Sequence, residues 1–140
     1  MFDPAIENAT WETTPEFIPP ITGGKVIKVY DGDTITIASR LPYQESPVYR
    51  FTVRINGIDT PEIKGKTATE KALAIQARNA LALLILGKTV KLENVKLEKY
   101  GRLLADVWLD ETNLGKHLIE SNYAVPYSGG TKIRPAEWDA

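Results

Sequence analysis

Hydrophobic and polar positions change period several times along the 140-residue chain, and each change marks an element. From Lys25 the sequence turns β-branched. Val26 to Tyr30 and Thr34 to Ala38 read as two strands joined through Asp31-Gly32-Asp33. A loop from Leu41 to Pro47 leads into a third strand, Val48 to Asn56. Alternation there puts Arg50, Thr52, Arg54 and Asn56 on one face and Phe51, Val53 and Ile55 on the other.

The period then lengthens. Thr67 to Leu86 holds neither Pro nor Gly, and Leu73, Ala77, Ala80, Leu81 and Leu84 recur at helical spacing, which predicts a long helix with that stripe facing the core. Thr67-Ala68-Thr69-Glu70 supplies a capping box in which each side chain satisfies the other residue's amide. Gly87 supplies the stop. Val90 to Leu97 alternates again, with a slip near Asn94, and Leu103 to Leu109 is a further strand beyond a turn at Tyr100-Gly101. Asn113 is placed to cap a short second helix running to Ser121, with Leu114, Leu118 and Ile119 on its buried face.

Three strands, a helix, two strands and a helix are the order of a five-stranded OB-fold barrel. The expectation is a β-barrel with helices (α+β), a long helix after strand 3 and a short second helix near the C-terminus. The first 24 residues do not fit it. Pro4, Pro15, Pro19, Pro20 and Gly23-Gly24 exclude a helix or a central strand. Residues 1–24 are therefore expected to form an extended, acidic arm, with Trp11, Phe17 and Ile18 packed on the surface of a domain spanning 25–140.

Composition narrows the chemistry. There is no cysteine and only one histidine, His117, which removes disulfides, thiolate ligands and multi-histidine zinc sites. The net charge of −1 is unevenly spread. The arm carries Asp3, Glu7, Glu12 and Glu16 with no basic residue, so the remainder is mildly basic and compatible with a polyanionic partner. The longest apolar run, Ala80 to Leu86, falls far short of the about 20 residues of a membrane span. The first residues lack the basic flank and apolar stretch of a secretory signal, which makes the cytoplasm the default compartment.

Two acidic clusters stand out: Asp31-Gly32-Asp33-Thr34 at a strand turn, and Asp59-Thr60-Pro61-Glu62 after the third strand. Each alone reads as an ordinary polar turn. Together they bracket two strands that pair in a small barrel, so Asp33 and Asp59 can share one side of it. Converging carboxylates repel one another unless a cation lies between them, and hard oxygen donors suit Ca²⁺ or Mg²⁺. Arg54 and Arg102 are ordinary surface residues singly. As a pair, planar guanidinium groups bind phosphodiester oxygens in bidentate fashion. A cation, two arginines and a spare carboxylate make up the parts needed for phosphodiester hydrolysis.

The segments Asp31-Gly32-Asp33-Thr34, Val53-Arg54-Ile55-Asn56-Gly57-Ile58-Asp59-Thr60-Pro61-Glu62 and Lys99-Tyr100-Gly101-Arg102-Leu103-Leu104-Ala105 together resemble the thermonuclease (staphylococcal nuclease) family. The likeness runs from Lys25 to Tyr127 in the same order and with similar spacing. It implies an OB-fold and a Ca²⁺-dependent endonuclease acting on DNA and RNA with little sequence preference, leaving 3′-phosphate ends. Carried over by position, it implies Asp33 and Asp59 as side-chain Ca²⁺ ligands and Thr60 as a backbone one. Glu62 would activate the attacking water, and Arg54 and Arg102 would hold the phosphate. Lys99 and Tyr100 become neighbours of the substrate. Of the two candidate nucleotide-flanking tyrosines, Tyr123 and Tyr127, the latter is preferred. The chain ends too soon after these motifs for the family's long C-terminal helix, and Trp138 is expected to pin the tail instead.

Two other readings stay open. A non-catalytic OB module could bind nucleic acid or protein, although a pure binder has no need of Glu62. Alternatively the acidic, proline-rich arm could contact a protein partner and dock the domain onto a larger assembly.

Overall fold

In the computed structural model, which describes residues 3–130 and 134–139, β-branched and apolar side chains alternate inward along five strands. Residues 1–2 of the expected arm, and residues 131–133 and 140 of the tail, lie outside the described residues. The strands are β1 (Gly23–Asp31), β2 (Thr34–Arg40), β3 (Val48–Ile55), and then, beyond the two-residue β4 (Ile58–Asp59), β5 (Thr89–Leu97) and β6 (Leu103–Leu109). β1, β2 and β3 form an antiparallel meander, and β5 pairs with both β1 and β6. Parallel pairing of β3 with β6 closes the barrel in the order β1-β2-β3-β6-β5. This is the OB-type barrel that the order of elements predicts. Val26, Ile35, Ile37, Val53, Ile55, Ala105 and Val107 fill it with no exposed surface.

The arm departs from expectation in three ways, the first being that Gly23 and Gly24, expected to exclude a strand, open β1 and pair with Lys91 and Val90 of β5. Asp3 caps a single helical turn, α1 (Pro4–Glu7), because proline is tolerated at the first position of a helix. Trp11 and Phe17 are 91% and 67% exposed, so neither packs on the barrel, and Ile18 is also exposed. The first apolar anchor is Ile21, buried in the core.

The slip near Asn94 is a bulge: Asn94 adopts φ 53° and the β5–β6 register shifts between Glu93 and Lys96. The long helix is α2 (Ala68–Ile85), and its buried stripe is Glu70, Ala74, Ala77, Leu81 and Ile85. That corrects the predicted stripe. Leu73, Ala80 and Leu84 are half-buried at its margin, because the helix is rotated to seat Ala74 and Ile85 against the barrel. Full burial of Leu81 and Ile85 is worth about 1.5–3 kcal/mol each. Gly87 stands just past the helix at φ 82° and donates its amide to Val26 O at 2.9 Å, tying the helix end to β1.

The capping box forms only in half. Thr67 Oγ1 accepts from the Glu70 amide at 3.0 Å, but the Glu70 carboxylate turns away to Glu62 and Arg134. After the short β7 (Thr112–Asn113), α3 (Leu114–Glu120) begins with Asn113 as its cap, its side chain accepting from Lys116 N, and it buries Leu114 and Leu118. A last short strand, β8 (Val125–Pro126), pairs with β4. Trp138, expected to pin the tail, is buried. Among the described residues, no helix is long and apolar enough to cross a membrane.

Candidate active site

Three strand ends meet at one edge of the barrel. The β1–β2 turn places Asp33, whose backbone oxygen accepts from Ile55 N at 2.8 Å. Register then sets Arg54 opposite Thr34 across β2–β3. Parallel pairing of Val53 with Leu103 brings the residue before Leu103, Arg102, to the same end. β4 adds Asp59, and the chain continues through Thr60 to Glu62. Asp33, Arg54, Asp59, Thr60, Glu62 and Arg102 thus line one open cleft of about 540 Å³, together with Asp31, Lys28, Tyr30 and Lys64. The six residues proposed from sequence for metal and catalysis are brought together.

At its floor, Arg54 Nη2 lies 3.7 Å from Asp33 Oδ2 and 3.8 Å from Asp59 Oδ1, and donates to Ile58 O at 3.2 Å. All three charged side chains are buried. Two carboxylates share one guanidinium. Burial pushes the Asp33 carboxyl up to about 6; Asp31 adds to the rise through its charge and hydrogen bond, while Arg54 and Thr34 counter it. Asp31 Oδ1 accepts the Asp33 amide at 3.0 Å, which shapes the turn. A Cβ on Gly32 would stand 2.9 Å from Ala77 Cβ and 3.0 Å from Thr60 Cγ2, so only glycine lets this turn pack so closely on α2 and the Thr60 segment.

The donor set fits a hard divalent cation. Every candidate ligand atom is oxygen, two of the carboxylates are desolvated, and Thr60 Oγ1 is buried with no hydrogen-bond partner among the described residues. No three His, Cys, Asp or Glu side chains among the described residues group closely enough to hold a metal. Asp33 and Asp59 would therefore need backbone oxygen and water to complete the shell, as Ca²⁺ readily accepts.

The remaining predicted residues divide. Tyr127 lies beside the cleft: Arg54 sits over its ring at 5.3 Å, its amide donates to Gly57 O at 2.9 Å, and it lines an adjoining groove with Arg54 and Arg102. Tyr123 is half-buried against the core and lines a different, apolar groove between α2 and α3. Lys99 and Tyr100 sit on the exposed turn between β5 and β6, with Tyr100 at φ 64°, and line neither the cleft nor the adjoining groove. The tight turn aims them outward.

Sequence reasoning missed four residues. Glu98 accepts from Arg102 Nε at 3.0 Å and holds that arginine at the cleft rim. Lys28 lines the cleft from β1, where alternation alone could have found it. Glu70 and Arg134 form an ion pair behind Glu62 at 2.7 Å, and no local pattern in the sequence announces a contact over that separation.

A closed OB barrel with acidic and arginine side chains converging at one edge defines a class of site suited to phosphodiester chemistry. The family described as staphylococcal nuclease homologue matches residues 52–137, and the chain belongs to that family. It is 30% identical over 92 residues to a probable staphylococcal-like nuclease of Oryza sativa subsp. japonica, covering 64% of this chain and 22% of the relative. It is 32% identical over 102 residues to a thermonuclease of Staphylococcus hyicus, covering 71% and 56% respectively. An uncharacterized endonuclease of Escherichia coli O157:H7 is 29% identical over 108 residues, covering 74% and 60%. The chain thus spans about a fifth of the rice relative and just over half of the thermonuclease.

Proposed function

We propose that this chain is a Ca²⁺-dependent endonuclease that hydrolyses phosphodiester bonds of DNA and RNA with little sequence preference and leaves 3′-phosphate ends. One observation carries the reading: two buried carboxylates flank a buried arginine at the floor of a cleft whose rim bears a second arginine and a further carboxylate. Family membership and the nuclease names of the relatives support it.

On this reading Asp33 and Asp59 hold the cation through their side chains and Thr60 through its carbonyl. Bound there, the cation would stabilise negative charge on the phosphate as a Lewis acid. The chain's own residues do the rest. Arg54, fixed by Ile58 O and its two carboxylates, donates to one equatorial oxygen. Arg102 swings from Glu98 to the opposite side. Glu62 takes a proton from water at its carboxylate as the water oxygen attacks phosphorus and the 5′ oxygen leaves. Tyr127 flanks the nucleotide, and Lys99 and Tyr100 contact strand that extends past the cleft.

The catalytic unit occupies 25–140. Up to Pro20 the arm lies outside the barrel core, and the exposed Trp11 and Phe17 favour its contacting a protein partner. The test is digestion of heat-denatured plasmid and of RNA by purified protein. Degradation with calcium and protection by a chelator are expected; intact substrate in both would defeat the reading.

A further inference from the structure

The Glu70 carboxylate is 1% exposed at the first turn of α2, yet it does not complete its own capping box. Its Oε2 accepts from the Glu62 amide at 3.2 Å, eight residues upstream. The same oxygen accepts from Arg134 Nη1 at 2.7 Å. Arg134 in turn reaches Asp139 through Nη2 at 2.7 Å and lies over the ring of buried Trp138 at 5.7 Å. Thr67 Oγ1 donates to Trp138 O at 3.3 Å, so the tail is fastened to the helix at two points. Gly65 packs directly on the Glu70 carboxylate, where any Cβ would collide with it, and donates its amide to Glu62 O at 2.9 Å. Both backbone polar groups of Glu62 are therefore held from behind.

A buried carboxylate is costly to desolvate and is retained only with charged or hydrogen-bonding partners. If helix capping were its whole task, the amide of Thr67 would be the nearer target. Here the carboxylate takes the Lys66 amide and, beyond the helix start, the amide of Glu62, the residue whose side chain enters the cleft. The Arg134 hydrogen bond holds the Glu70 carboxyl below the usual carboxylate range, which keeps it an acceptor for the Glu62 amide.

We propose that Glu70 and Arg134 are positioning residues: the C-terminal segment 134–139 clamps the Glu70 carboxylate, which fixes the backbone of Glu62 and so aims its side chain at the attacking water. The inference rests on Glu62 acting as the general base. Small misplacement of such a group is expensive in rate, while the cation ligands Asp33 and Asp59 lie on the β1–β2 turn and β4, and Thr60 is buried against Gly32, so all three stay in place.

The test uses the full chain with Arg134→Ala and Arg134→Lys; Arg134 is 40% exposed at its side chain, so neither change empties the core. Residue-resolved amide exchange is read alongside kcat, KM and calcium affinity, with Glu62→Gln as reference. In Arg134→Ala we expect Glu62 amide exchange to accelerate about tenfold and kcat to fall about tenfold, with KM and calcium affinity nearly unchanged. Arg134→Lys should recover part of both, since a lysine can reach Glu70 but cannot fork to Asp139 as well. Unchanged Glu62 exchange in Arg134→Ala would overturn the clamp whatever the activity. Faster exchange with unaltered kcat, while Glu62→Gln is inactive, would overturn its role in catalysis alone. A fully active Glu62→Gln would instead strike down the general-base reading, and the positioning role with it.

Discussion

Arg54 and Asp33 face each other at 3.7 Å, both buried, and the same Arg54 nitrogen lies 3.8 Å from Asp59. One guanidinium is thus shared by two desolvated carboxylates. Burial holds the Asp33 carboxyl up at this floor, and that shift governs how the site is expected to respond to pH and to calcium.

Asp33 makes stability depend on pH with a particular sign. Its folded value of about 6 lies above the ordinary value of 3.8, so the folded chain holds this proton more tightly than the unfolded one. In chelator, stability contributed by this group is greatest below about pH 4, falls as pH rises to about 6, and is flat above. The loss is of order 3 kcal/mol. Glu70, depressed instead by its Arg134 hydrogen bond, acts oppositely: its contribution is complete above the ordinary carboxylate value and is lost as pH falls below it. Asp33→Asn should raise the melting temperature of the cation-free protein at about pH 7.5 and weaken calcium retention; melting curves at both pH extremes, with calcium titrations, check both. For the unsubstituted protein, calcium affinity should decline as pH drops through about 6.

Arg54→Met removes the guanidinium that the buried Asp33 and Asp59 carboxylates share. Removal of one partner from a buried ion pair typically costs about 3–5 kcal/mol. The variant should be destabilised on that scale in chelator and regain much of it with calcium, with a larger calcium-dependent shift in denaturant midpoint than the unsubstituted protein. Nuclease activity should be lost even where calcium restores folding, since the phosphate contact is gone. Equal calcium shifts in the two proteins would show that the site does not take the cation.

How far the sequence foretells this arrangement depends on range. The barrel order, the Asn113 cap and the Asn94 slip follow from local period and turn chemistry, which the structure reproduces. The convergence of Asp33, Arg54, Asp59 and Arg102 is also legible, because each sits at a strand end whose pairing the barrel dictates. The helix stripe differs from the predicted one because Ala and Leu surround α2 on most sides, and a faint amphipathic pattern leaves rotation to tertiary packing. Closeness to Arg102 in sequence draws Lys99 and Tyr100 toward the cleft, whereas a turn with positive φ sends consecutive side chains in divergent directions. The Glu70–Arg134 pair joins residues 64 positions apart, beyond any periodicity.

Tyr127 offers a contrast between ring and hydroxyl. Its ring stacks with the Arg54 guanidinium at 5.3 Å. Tyr127→Phe should keep that contact and most of the activity, whereas Tyr127→Ala should raise KM for oligonucleotides, by an amount consistent with stacking energies of about 1–3 kcal/mol per base. Steady-state kinetics on a short single-stranded substrate distinguish them.

The most direct measurement is the mass of the products from an end-labelled single-stranded DNA oligonucleotide, incubated with the purified chain across a calcium series in mildly alkaline buffer. We expect fragments ending in 3′-phosphate that grow with calcium, vanish with chelator, and are absent for Arg54→Met. Uncut oligonucleotide at every calcium concentration, or fragments ending in 3′-hydroxyl, would contradict the assignment of this cleft.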